Sequence, residues 1–374
     1  MQEVFGLVRQ FALTNVTARY RKARELVGGM LSAILLGLLQ LTTSLPSLAA
    51  EALPRLGADL AQTSVSGLSS GAYMAGQIQV AHSKDVVGAG LVAGGPYACA
   101  ESAASRLFPF WPTAVAQNAS KALNQCMKTE WGEPDPSELA ARARELAEED
   151  AIDPIAGLAE DNVYLYSGAS DQTVTRPVVK AARQFYEHLG VAPTNMTLVE
   201  GDGGHAFITE AGGAACGISA TPYLSDCDYD QAKAILGWIY GPLADAAPEP
   251  SGRFILFDQS AFAEPDADLA AEGVVYIPQD CAERSGCRVH VALHGCEQSR
   301  EVEGIGDSFV KEAGFAQIAD RNRIIVLFPQ VRASSVNPRG CWDWWGYTGL
   351  DYLGRDAPQV EAIWSMVERL AAMP

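Results

Sequence analysis

The chain has 374 residues, 48% of them hydrophobic, enough for one large α/β domain or two small ones. A formal net charge of −18 argues against a nucleic-acid partner, which selects basic surfaces. The cysteines and histidines form no paired C-x-x-C and no H-E-x-x-H unit, so no metal site is expected.

Arg19, Arg21, Lys22 and Arg24 precede an uncharged stretch from Val27 to Leu41, and Ser47-Leu48-Ala49 then offers small residues at the spacing a signal peptidase requires. The apolar run is shorter than the ~20 residues that cross a bilayer. Residues 1–49 therefore read as an export leader, and residues 50–374 as a secreted or periplasmic chain with no stable membrane insertion. The leader carries five basic and two acidic residues, so its removal takes the net charge from −18 to about −21. All eight cysteines lie beyond it, and an even number in an exported chain favours disulfides. The expected pairs are Cys99–Cys126, Cys216–Cys227, Cys281–Cys287 and Cys296–Cys341, although spacing alone leaves the pairing open.

After the leader, Thr63 to Ser66 is a strand candidate that runs into Gly67-Leu68-Ser69-Ser70-Gly71, and Ala72 to Ala81 has helical composition. Val86 to Ala93 is the next strand. Residues from about Ala100 to Pro154 read as an insertion over the sheet, with a charged helix from Ser137 to Glu149 capped by Ser137. Strands at Val163 to Tyr166 and Met196 to Val199 flank a helix at Arg176 to His188. A helix at Gln231 to Tyr240 leads to a connector at Ala244 to Ser251 that contains Pro248 and Pro250. Strands follow at Arg253 to Phe257, Gly273 to Ile277 and Arg288 to Leu293, then a helix at Ser308 to Asp320, a strand at Ile324 to Phe328 and a helix at Pro358 to Ala371.

Gly67-x-Ser69-x-Gly71 is a nucleophile-elbow signature in the strand–turn–helix setting it requires. The strand that supplies an oxyanion amide in an α/β-hydrolase ordinarily precedes that serine. Here its counterpart, Val289-His290-Val291-Ala292-Leu293-His294-Gly295-Cys296, comes near the other end. The second half thus contains what an ordinary hydrolase places before its nucleophile. The expected fold is a circularly permuted α/β-hydrolase: one mostly parallel sheet flanked by helices, joined at about 244–251, with no separate substrate-binding module. The alternative is two domains meeting at that linker.

Of the five histidines, His205 follows Gly201-Asp202-Gly203-Gly204 on a loop after a strand and is the candidate general base. His82 and His188 sit at helix ends, His290 lies inside a strand, and His294 fits the oxyanion loop. Asp171, in the loop after the Val163 strand, is the candidate acid that orients His205, and Asp202 is its rival. The chemistry implied is acyl transfer through Ser69, with backbone amides of Ser70 and Cys296 holding the oxyanion. Trp342, Trp344 and Trp345 form an aromatic, glycine-flanked stretch; if Cys341 bonds Cys296, some of them are expected to line an apolar substrate crevice, with ordinary core packing the alternative for any one of the three. No cofactor is implied, because no phosphate-binding loop lies in the required setting.

Six separate pieces carry a family resemblance: Gly67 through Met74, Ser167-Gly168 through Asp171, Gly203-Gly204-His205, Phe257-Asp258-Gln259-Ser260, His294 through Gln298, and Cys341 through Gly346. From about Leu60 onward the chain resembles the secreted poly(3-hydroxybutyrate) depolymerases with a circularly permuted catalytic domain. The resemblance implies that Ser69 is nucleophile, Asp171 acid and His205 base, that Ser70 and Cys296 donate to the oxyanion, and that the substrate is a polyester of short hydroxyacids or its oligomers. Many bacterial members append a polymer-binding module, whereas this sequence stops at Pro374. Feruloyl- or acetyl-type carbohydrate esterases share the His-Gly-Cys and Cys-Trp pieces and are the enzymatic alternative. A non-catalytic polymer-binding protein is the second.

Overall fold

The computed structural model describes residues 50–374, so the expected leader lies outside the described residues. The strands in chain order are β1 (Thr63–Leu68), β2 (Val86–Val92), β3 (Asn162–Gly168), β4 (Met196–Gly201), β5 (Phe207–Thr209), β6 (Ala214–Ala215), β7 (Leu224–Asp226), β8 (Arg253–Asp258), β9 (Glu272–Ile277), β10 (Arg288–Leu293) and β11 (Ile324–Phe328). Eight of them form one sheet in the order β4-β3-β2-β1-β10-β11-β9-β8. β9 runs antiparallel to both its neighbours, and the remaining pairs are parallel.

The serine strand β1 stands at the centre, hydrogen-bonded on one side to β2 and on the other to β10 from the far half of the chain. All of β2, β3 and β4 lie on the β2 side, and all of β8, β9 and β11 beyond β10. The ordinary hydrolase order is therefore recovered by taking residues 253–374 first and 63–240 second. The first and last segments of the described residues meet. The Leu56 and Gly57 amides donate to the Leu370 and Ala372 carbonyls at 3.1 and 2.9 Å, and Arg369 donates to the Leu53 carbonyl at 2.9 Å.

β1 and β11 are covered on both faces and buried along their whole length; β11 is apolar throughout, whereas β1 buries Thr63, Ser64 and Ser66. Edge strand β8 instead alternates, exposing Phe254 and Leu256. The Glu51 backbone caps part of that edge through bonds to Leu256 and Asp258. The helix after Ser69, Ser70–Ala81, is buried on every side, which explains its small alanine and glycine residues and its lack of a polar face. His290, expected in the core, is fully buried there between the Ser64 and Ser66 hydroxyls at 2.7 and 2.8 Å.

Three local readings are corrected. The charged helix runs Pro136–Glu148 and its cap is Asp135, whose carboxylate accepts from the Ser137 and Glu138 amides. Pro136 fits the first helical turn, so the helix begins one residue before Ser137. The expected single helix 308–320 is two, Ser308–Glu312 and Phe315–Asp320, divided where Gly314 adopts φ +88°. The stretch after His205 also builds a second, three-stranded sheet, β5-β7-β6, which its short strands did not announce. Four disulfides join Cys99–Cys126, Cys216–Cys227, Cys281–Cys287 and Cys296–Cys341, the same pairs as expected.

Candidate active site

Ser69 lies between β1 and the helix Ser70–Ala81 with φ 57° and ψ −119°, a left-handed turn that a side chain adopts only under constraint. The constraint is visible in its neighbours. A Cβ on Gly67 would stand 2.4 Å from the Gly71 carbonyl, and one on Gly71 would stand 2.4 and 2.5 Å from the Leu293 and His294 carbonyl oxygens. Both positions therefore require glycine, and their closeness pushes the serine out at the sheet's end. The Ser69 amide donates to the Val92 carbonyl at 2.9 Å, which fixes the turn against β2.

Asp171 lies in the loop after β3, and His205 in the loop after β4. A Cβ on Gly168 would meet the Gly203 carbonyl at 2.0 Å, so glycine lets the two loops touch. The Asp171 Oδ2 atom accepts a hydrogen bond from His205 Nδ1 at 2.8 Å, while Oδ1 accepts from the Thr173 and Val174 amides. Both side chains are buried, and His205 borders the same cavity as Ser69. With Nδ1–H committed to the carboxylate, Nε2 is the free, basic nitrogen. The His205 amide donates to Ser219 Oγ at 2.7 Å, and the Cys216–Cys227 bridge closes the segment that carries Ser219.

The other histidines are accounted for. His82 stacks on Trp364 at 4.0 Å, and His188 is exposed on its helix. Burial pushes His290 down to about 3 and His294 down to about 4, so both rings are neutral. The neutral His294 ring donates from Nδ1 to the Gly295 carbonyl and accepts at Nε2 from the Val331 amide. Asp202, the rival acid, is exposed and bonded to no histidine.

The loop after β10 is tied from several directions. The Gly295 amide is taken by Gln298 Oε1 at 2.7 Å, Trp342 Nε1 donates to the His294 carbonyl at 3.0 Å, and Cys296 is bridged to Cys341. Glu297 holds φ 57°, and its amide donates to the Arg339 carbonyl. Among the described residues the amides of Ser70 and Cys296 have no acceptor, and Cys296 shares both adjoining cavities with Ser69.

The larger cavity, about 240 Å³, opens from Ser69 between Tyr73, Leu123, Met127, Trp344 and Trp345. Tyr73 and Trp344 stack at 4.0 Å, and Trp345 stands edge-on to Trp344 at 5.8 Å. Trp342 is a correction: it is fully buried beneath the oxyanion loop and lines no crevice, because its indole N–H is consumed by the His294 carbonyl. The aromatic segment is organised by Asp343. Its buried carboxylate accepts from the Trp345, Gly346, Tyr347 and Thr348 amides and the Thr348 hydroxyl, while burial pushes its pKa up. Tyr73, Met127, Ser219, Gln298 and Asp343 all escaped the sequence reading as individual site residues. The Tyr73, Gln298 and Asp343 positions lie inside segments singled out in the sequence, and Met127 and Ser219 do not.

A polyhydroxybutyrate depolymerase of Talaromyces funiculosus is 35% identical to this chain, with 87% of this chain and 94% of the relative covered. The chain belongs to the poly(3-hydroxybutyrate) depolymerase family. A second member, a poly(3-hydroxybutyrate) depolymerase of Delftia acidovorans, is 37% identical over 87% of this chain, and the match spans 62% of that relative's length. Two solved structures have the same fold with a TM-score of 0.75 and cover 86% of this chain and 99% of their own. They are the PHB depolymerase from Penicillium funiculosum, at 33% identity, and a serine-to-alanine PHB depolymerase complexed with an R3HB trimer, at 32%. No family model matches the chain.

Proposed function

We propose that this chain is a serine esterase that hydrolyses poly(3-hydroxybutyrate) or its oligomers through an acyl-enzyme. The observation that carries the reading is the 2.8 Å bond from His205 to Asp171 at the wall of a cavity shared with Ser69, beside an aromatic crevice. The names of the family members supply the substrate class.

Ser69 Oγ attacks the ester carbonyl as His205 Nε2 accepts its proton. Asp171 holds the ring in the tautomer that leaves Nε2 bare and stabilises the imidazolium once it forms. The charge that develops on the carbonyl oxygen is met by the Ser70 and Cys296 amides, donors with no protein acceptor to give up. Collapse of the tetrahedral intermediate breaks the ester bond, and His205 returns the proton to the departing alkoxide. Water then repeats the sequence against the acyl-Ser69 ester and frees the acid. Tyr73, Leu123, Met127, Trp344 and Trp345 offer an apolar wall to the methyl-branched chain of the polymer.

The catalytic unit is residues 50–374, with the permutation join at 244–251. Export is supported by four disulfides, which persist in oxidising compartments, and no helix among the described residues is long and apolar enough to cross a membrane. The test is a paired assay on amorphous polyester and on feruloyl esters. Release of soluble 3-hydroxybutyrate, abolished in Ser69→Ala, is the expected result. Cleavage of the feruloyl esters with none of the polyester would overturn the reading.

A further inference from the structure

Arg339 is the one lysine or arginine that lines either cavity beside Ser69, in a chain of net charge −18. Its guanidinium meets the Glu297 carboxylate through Nε at 2.9 Å and Nη2 at 3.0 Å, and Glu297 is further held by the Tyr223 hydroxyl at 2.8 Å. That fork uses two of the five N–H groups of an arginine. The Nη1 end has no partner among the described residues, and the side chain is 64% exposed at the cavity mouth.

The two cavities share Ser69, Met127, Cys296 and Arg339 and differ in the rest of their lining. The larger is walled by Leu123, Val336, Trp344 and Trp345, and is apolar. The smaller, about 90 Å³, is bounded by His205, Thr173, Tyr223, Glu297 and Arg339. His205 must hand its proton to the departing oxygen, so the leaving unit lies on the His205 side of Ser69. In a polyester of hydroxyacids the leaving alcohol belongs to the unit on the carboxyl side of the bond. If that unit is the last of its chain, it carries a free carboxylate.

Resting on the esterase reading above, we propose that the small cavity receives the carboxyl-terminal unit of a hydroxyacid chain and that Arg339 binds its free carboxylate through the unused guanidinium edge. Arg339 is thereby a specificity-determining residue that favours chain ends and oligomers over interior bonds. Glu297 holds the guanidinium plane in place and leaves the outward edge for a second, planar anion.

The test compares kcat/KM for the 3-hydroxybutyrate trimer as free acid and as its methyl ester, a pair that differs only in the terminal charge. For the exposed guanidinium the native protein should prefer the acid by about fivefold at low salt, with the preference shrinking as salt is added. Arg339→Gln should abolish the preference, and Arg339→Lys should restore part of it. Because Arg339→Gln leaves Glu297 unpaired, the double variant Arg339→Gln/Glu297→Gln is measured too, and it should also show no preference. Equal rates on acid and methyl ester in the native protein, or a native-like preference in either glutamine variant, overturns the assignment. If neither trimer is cleaved by the native protein, the esterase reading itself has failed, which is a separate outcome.

Discussion

Gly71 and Gly76 lie in the same buried helix, and the same substitution at each should have opposite effects. A Cβ at Gly71 would stand 2.4 Å from the Leu293 carbonyl oxygen and 2.5 Å from that of His294. Raising the closest contact to 3.0 Å needs a shift of about 0.6 Å, and the atoms in the way are backbone, which no rotamer change can clear. The shift falls on the elbow that carries Ser69 and Ser70 and on the loop that carries Cys296, so both proposed oxyanion donors move against Ser69. Misplacement on this scale costs on the order of 10²-fold in kcat, and the overpacking costs about 1–3 kcal/mol of stability. At Gly76 the new Cβ would meet only the Tyr186 hydroxyl at 3.8 Å and Leu91 at 3.9 Å, ordinary contacts. Gly76→Ala should therefore gain about 0.5–1 kcal/mol from helix propensity and leave turnover intact. Hydrolysis of p-nitrophenyl butyrate and urea unfolding read the two effects. A Gly71→Ala protein with native kcat, or a Gly76→Ala protein less stable than native, would refute the packing argument.

Asp171→Asn should lower kcat on the order of 10⁴-fold, because the amide no longer enforces the His205 tautomer, while the Thr173 and Val174 amides keep an oxygen acceptor and the melting temperature barely moves. Trp342→Phe should cost about 1–3 kcal/mol in chemical unfolding by orphaning the buried His294 carbonyl, whereas Trp345→Ala should raise KM for oligomers with stability little changed. Burial raises the Asp161 carboxyl to about 7 from 3.8. The folded chain thus keeps a proton that the unfolded chain releases, and this residue's contribution to stability falls as pH climbs from about 4 to 7, by roughly 4 kcal/mol at most. Urea midpoints of Asp161→Asn at pH 4.5 and 8 should show the variant gaining on the native protein at the higher pH; an unchanged difference would exclude the raised carboxyl.

The elbow was legible because its chemistry is local: two glycines and a serine in five residues leave little room for another reading. The permutation was legible for a related reason, since the His-Gly strand is recognisable wherever it falls and its late position alone required β10 to pair with β1. The charged helix was found but its cap was misassigned, because Asp135-Pro136-Ser137 contains two capping residues and the proline decides between them. Gly314 broke a helix whose composition on either side read as continuous. Trp342, Trp344 and Trp345 could not be separated in sequence. Their fates depend on which indole N–H finds a carbonyl, and the carbonyl belongs to His294 in another segment. Ser219 and Gln298 carry no signature of their own; Ser219 acts by occupying the His205 amide fourteen residues away, and Gln298 by occupying the Gly295 amide within its own loop.

The central pairing of β1 with β10 also sets a clock on the enzyme's birth. Ser64 and His290, hydrogen-bonded neighbours in the sheet, are 226 residues apart in the chain. At ~5–20 residues per second, roughly 10–45 s separate the synthesis of the strand that leads to Ser69 from that of the strand that leads to Cys296, its proposed partner at the oxyanion. During that interval β1 can pair only with β2, its other edge is open, and Ser69 has no Cys296 amide to work with. A permuted hydrolase of this kind is thus silent until most of its chain has been made, a delay written into the order of its strands.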